Sequence, residues 1–141
     1  MGSVIIVGES RADELLDDLS TIKANGYAKI KCKDAVVIIG KKGRADVTSA
    51  LGVIVDGDEP AAELPRFVQV IACGVSPKNT VSVTSRTSDK ITLSLNRSVQ
   101  TSGGVCEPLE QPIPDNGSVS EYDLMAAFAA KILLKQSEPP G

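Results

Sequence analysis

Histidine is absent from all 141 residues, and with it go the Ser-His-Asp triad, the Cys-His pair, His-ligated zinc and histidine phosphotransfer on this chain. Tryptophan is absent too, and two Phe and two Tyr are all the aromatic residues there are. The core is therefore aliphatic, and the stacking platforms that single-stranded nucleic-acid readers use are missing. Three cysteines, Cys32, Cys73 and Cys106, are odd in number and never form a CxxC pair, which argues against a disulfide framework or a closed zinc site and favours a reducing cytoplasm. Cations are no surplus: the formal charge is -3 and the pI near 5.0, against a general binder of nucleic acid or anionic membrane. The apolar stretches fall short of a membrane span, and the start lacks the basic and long apolar regions of a secretion signal.

What is present is an ordinary globular composition, 42% hydrophobic and 23% charged, in a length that suits one domain. We expect a single domain over 1–136 and a frayed tail over 137–141. Val4-Ile5-Ile6-Val7, Ala35 to Ile39, Val53 to Val55 and Val68 to Cys73 are continuous apolar runs, the mark of strands buried on both faces. After the first, Ser10 and Asp13 read as a capping box, with Leu15, Leu16, Leu19 and Ile22 as a helical stripe that Asn25-Gly26 stops. Ala28 to Lys33 alternates apolar and basic residues, an edge strand whose lysines discourage edge-to-edge pairing. Lys41, Lys42, Gly43 and Arg44 form a basic loop before a short helical or irregular piece over 46–50, and another short helix is expected over 61–64. Alternation then predicts a hairpin, Thr80 to Thr84 against Ile91 to Asn96, with one hydroxyl-rich face. Residues 97–114 read as irregular, and Ser120 with Asp123 caps a helix carrying Leu124, Met125, Phe128, Ala129, Ile132 and Leu133. No internal repeat stands out. The fold expected is α/β: a mostly parallel sheet of about four buried strands, extended by an antiparallel hairpin, with helices packed on its faces.

Candidate sites gather at strand ends, where open α/β sheets place their ligands. Glu9 and Ser10 follow the first strand at an expected helix N-terminus. Asp56 and Asp58, with Glu59, end the third buried run and offer carboxylate oxygens of the kind Mg²⁺ takes. Ser76, Lys78 and Thr80 lie in the loop after Cys73-Gly74, where an ammonium and hydroxyls near backbone N–H groups have the chemistry of an anion site. A strand-to-hairpin turn explains that loop as well, because the second glycine and following helix of a phosphate loop are missing. Cys73 would be reactive if Lys78 lowered its pKa, and otherwise simply buried.

Two families resemble parts of this pattern. Val4-Ile5-Ile6-Val7, Asn25-Gly26-Tyr27 and Asp56 with Pro60 look like the response-regulator receiver domain, which implies Asp56 as a phosphoacceptor. Val53 to Asp58, Val70 to Gly74, Val81 to Leu95 and Leu124 to Leu134 resemble, in order, the latter part of the Mur ligase central domain. The GK[ST] loop of those ligases is missing, so this resemblance implies a shortened relative without ATP-driven ligation. Taken together, the residues point to a small non-catalytic cytoplasmic module, possible as a homo-oligomer, that binds a protein partner or an anionic small molecule. The alternative is a Mg²⁺-dependent phosphate- or nucleotide-binding enzyme or switch, with Asp56 and Asp58 on the metal and Lys78 on the phosphoryl group.

Overall fold

The computed structural model describes residues 2–16, 19–59, 65, 67–115 and 117–135. Strand β1 (Ser3–Val7) passes through a 3-10 turn (Ala12–Leu15) into β2 (Thr21–Ala24). The chain continues through β3 (Tyr27–Lys31), β4 (Ala35–Ile39), β5 (Arg44–Ser49) and β6 (Gly52–Asp56). Next come β7 (Val70–Cys73), the hairpin β8 (Val81–Arg86) and β9 (Lys90–Leu95), β10 (Val99–Thr101), β11 (Gly104–Cys106), β12 (Leu109–Pro114) and helix α1 (Glu121–Leu133).

Eight strands form the main sheet in the order β12-β9-β8-β7-β6-β4-β1-β2, parallel from β2 to β8 and antiparallel for β9 and β12. Strands β3 and β5 make a separate parallel pair, and β10 and β11 an antiparallel one. From β2 to β6 the chain alternates between the main sheet and the small parallel pair, so successive passes stack in a β-solenoid-like coil. Tyr27 lies opposite Arg44, and Val36 opposite Gly52.

The buried runs have two faces because a strand's side chains alternate. Val4, Ile6, Val36, Ile38, Ile54 and Ile71 join α1 in the larger core. Val7, Val37, Val53 and Val55 form a second core with Ile30 and Val47 of the small pair. Helix α1 begins as its residues dictate, with the Ser120 hydroxyl accepting the Asp123 N–H at 3.1 Å.

The α/β layering is overturned. Among the described residues α1 is the one α-helix, and it covers one face only, while a two-stranded sheet covers the other. The Mur ligase-like layering falls with it, since the structure is largely β and coiled. The helix expected after Ser10 is a single 3-10 turn followed by β2. Tertiary bonds compete for its cap: the Ser10 hydroxyl donates to Asp123 Oδ1 at 2.6 Å, and the β-branched Thr21 and Ile22 pair with Val4 and Ile5 of β1. Residues 46–50 are no helix either. Ala45 and Val47 turn in and Arg44, Asp46 and Thr48 out, a period of two, as β5 pairs with β3. The stretch 97–114 holds three strands rather than irregular chain, and the absence of a repeat is a statement about identities, not about the coil. The short helix expected over 61–64, Pro60 and the tail over 137–141 lie outside the described residues.

Candidate functional site

The carboxyl edge of the parallel strands does not gather the expected residues into one site. An open cleft of about 840 Å³ is lined by Glu9, Ser10, Lys41, Lys42, Arg44 and Asp56, among others. Asp58, Ser76, Lys78 and Thr80 do not line it. Glu9 is exposed; its backbone pairs with Lys41, and its carboxylate lies 3.9 Å from the Lys42 ammonium. Ser10 ties the end of β1 to α1, because Asp123 also accepts the Arg11 N–H at 3.2 Å.

The loop over 74–80 does hold an anion, and that anion is the chain's own Asp58. Oδ2 of Asp58 accepts the Val75 N–H at 2.8 Å, and Oδ1 accepts from Asn79 Nδ2 at 3.2 Å. The same Asn79 amide donates to the Ser76 carbonyl at 3.0 Å. Asn96 Nδ2 donates to the Asn79 carbonyl at 2.9 Å, and Arg97 to the Lys78 carbonyl at 2.6 Å. Thr80 is buried, the Ser76 hydroxyl accepts the Lys78 N–H at 3.4 Å, and the Lys78 side chain is exposed, without an ion pair among the described residues. Asp56 Oδ1 accepts the Asp58 N–H at 2.9 Å. Among the described residues no three His, Cys, Asp or Glu side chains come together as a metal cage.

Asn79→Ala therefore leaves Asp58 short of a partner beside a buried gap. We expect a loss of about 1–3 kcal/mol, read as a lower urea midpoint at unchanged slope. An unmoved midpoint would show that the loop does not depend on this bond.

Cys73 is fully covered, and burial first, with Asp56 adding to it, pushes its thiol up, so it rests as the neutral thiol. Burial likewise raises the Tyr122 phenol well above its usual range, with Cys73, Asp56 and Asp123 contributing. Its hydroxyl donates to the Ile39 carbonyl at 2.7 Å, holding α1 to β4. These are packing roles.

The feature that stands out lies on the coil. Residues 23–44 hold seven of the fifteen Lys and Arg and one of the eighteen Asp and Glu, in a chain whose net charge is -3. All seven cations are exposed. Lys23 pairs with Asp13 at 3.0 Å and Lys42 with Glu9, whereas Lys29, Lys31, Lys33, Lys41 and Arg44 have no ion pair among the described residues. On the outer face of the small sheet, Tyr27 stands beside Arg44 and Lys29 beside Asp46. The whole-chain charge hides this segregation; a running charge count along the sequence would have found it.

No family model, no curated protein and no solved structure matches this chain. Among the described residues no helix is long and apolar enough to cross a membrane.

Proposed function

We propose that the chain is a non-catalytic binding module whose basic face, built by residues 23–44, receives an acidic segment of a partner protein. The observation that carries it is the set of five exposed cations without an ion pair among the described residues, concentrated on one coil of an otherwise acidic chain. Such a patch attracts anionic chains over a Debye length and steers their approach. Soluble surfaces ordinarily intersperse both signs, and over residues 23–46 only Asp34 and Asp46 stand against seven cations, so the excess of one sign points to use. The lack of histidine and the buried, neutral Cys73 support a non-catalytic reading. A reducing, cytoplasmic setting accords with three free thiols. Nothing in the geometry favours the Mg²⁺-phosphate reading over this one, because Asp58 already engages both its oxygens within the fold.

The test is fluorescence anisotropy with a labelled polyglutamate peptide. Binding that weakens with salt is expected, falling at least about tenfold in the Lys29→Glu/Lys31→Glu double variant, a loss of about 1.4 kcal/mol. Lys78→Glu should leave it unchanged. Loss through Lys78→Glu instead would return the site to the carboxyl edge. Binding of duplex DNA or RNA in place of the peptide would overturn the reading.

A further inference from the structure

The two outer edges of the fold are treated differently. At one end β12 pairs with β9 through its odd-numbered residues, as the bond from the Asp115 N–H to the Asp89 carbonyl shows, so Pro112 and Pro114 face outward. Proline has no N–H to give, and this edge is closed to another strand. At the other end the main sheet stops at β2 and the small sheet at β3, which carries no proline and has no neighbour on its outer edge among the described residues. The Gly26 carbonyl accepts from Arg44, and the Cys32 N–H donates to Ser49, so even-numbered residues of β3 turn to β5. The backbone groups of Lys29 and Lys31 therefore turn outward, unpaired by any strand among the described residues.

A second observation marks the same edge. Ile22 of β2 sits in register with Ile5, and Ala24 with Val7, on the face of the main sheet that the small sheet covers. Yet Ile22 is 57% exposed, so β3 and β5 stop short of it. The small sheet lacks a strand that the main sheet has room for.

We propose that this place is filled by an extended acidic segment of another polypeptide, added beside β3 as a third strand of the small sheet. Its backbone pairs with Lys29 and Lys31, its outward acidic side chains lie next to those lysines, and its inward apolar side chains cover Ile22. The ligand is thus a stretch alternating acidic and apolar residues. A second copy of this chain is the poorer occupant: pairing β3 with β3 sets lysine rows side by side, which is destabilising, and the proline edge cannot supply the strand. This inference rests on the acidic-partner reading above and adds the mode of binding.

The experiment uses a labelled synthetic peptide alternating Glu and Val with the full chain, in three forms: unmodified, and N-methylated on either alternate set of backbone nitrogens. Strand addition requires one methylated form to bind at least about tenfold more weakly than the other, because one set alone faces β3, and Lys29→Pro to weaken the unmodified peptide as well. Equal binding of both methylated forms would overturn strand addition and leave a purely electrostatic contact standing. Failure of this peptide where polyglutamate binds would likewise overturn strand addition alone, and failure of both would remove the acidic-partner reading too. A dimer in sedimentation that the unmodified peptide leaves intact and that Lys29→Pro dissociates would assign the edge to a second copy and overturn the proposal.

Discussion

Gly43→Ala is expected to destabilise the chain by about 3 kcal/mol or more, far beyond an ordinary surface substitution. Gly43 lies where the loop after β4 crosses the end of β1. A Cβ on it would meet the Val7 carbonyl carbon at 2.7 Å and the Gly40 oxygen at 3.1 Å, and would run into the Val7 oxygen as well. None of these obstacles is a flexible side chain. They are backbone groups already tied together, since the Gly40 N–H donates to the Val7 carbonyl at 2.8 Å and the Gly43 N–H to the Gly40 carbonyl at 3.1 Å. Room for the methyl group comes only by prising two loops apart. Gly26→Ala is the natural comparison: its φ of 78° is costly for alanine, but nothing stands within 4 Å of the new atom. That variant should lose about 1–2 kcal/mol. Urea unfolding of both, followed by far-ultraviolet circular dichroism, checks the order; a Gly43→Ala protein as stable as Gly26→Ala would mean that the two loops yield easily.

Ile54→Ala should cost about 2–5 kcal/mol, whereas Val47→Ala should cost only about 1.5 kcal/mol. Both are buried aliphatic residues on strands; Ile→Ala deletes one carbon more than Val→Ala, worth about 0.8 kcal/mol, and the rest of the difference lies in what covers them. Ile54 is 0% exposed at the middle of β6, facing α1 in the larger core, with neighbours on every side and little freedom to collapse around a hole. Val47 is 7% exposed in the second core under a two-stranded sheet, where β5 has an outer edge and can settle inward. Equilibrium unfolding midpoints at constant slope decide it. Equal losses would show that the small sheet is held as firmly as the helix, and a larger loss at Val47 would invert the ranking of the two cores.

The strands buried on both faces were legible because continuous runs such as Ala35 to Ile39 have few other places to go. The hairpin and α1 were legible from local period, and the Ser120 cap from its residue type. How the carboxyl-edge residues are arranged was not legible, for a different reason. Asp58, Ser76 and Lys78 have the chemistry of a ligand site, but whether such groups face a ligand or one another depends on which loops the topology brings together. Here β6 and β7 are neighbours, and Asp58 fills the loop that follows β7.

By itself the sequence determined the aliphatic core, the absence of histidine chemistry, the main buried strands and the closing helix, because these follow from composition and from side-chain period along the chain. Only the tertiary structure decided that Ser10 would be followed by a 3-10 turn over Ala12–Leu15 and a strand over Thr21–Ala24 rather than by the expected helix. There the packing of Ser10 on Asp123 and of β2 on β1 outweighs a weak local preference. The tertiary structure likewise decided that Arg44 to Ser49 would stack on Tyr27 to Lys31, and so collected the lysines on an open edge. Strand pairing joins residues distant in the chain, and the free energy that selects it comes from burying both partners at once, which no single segment reveals.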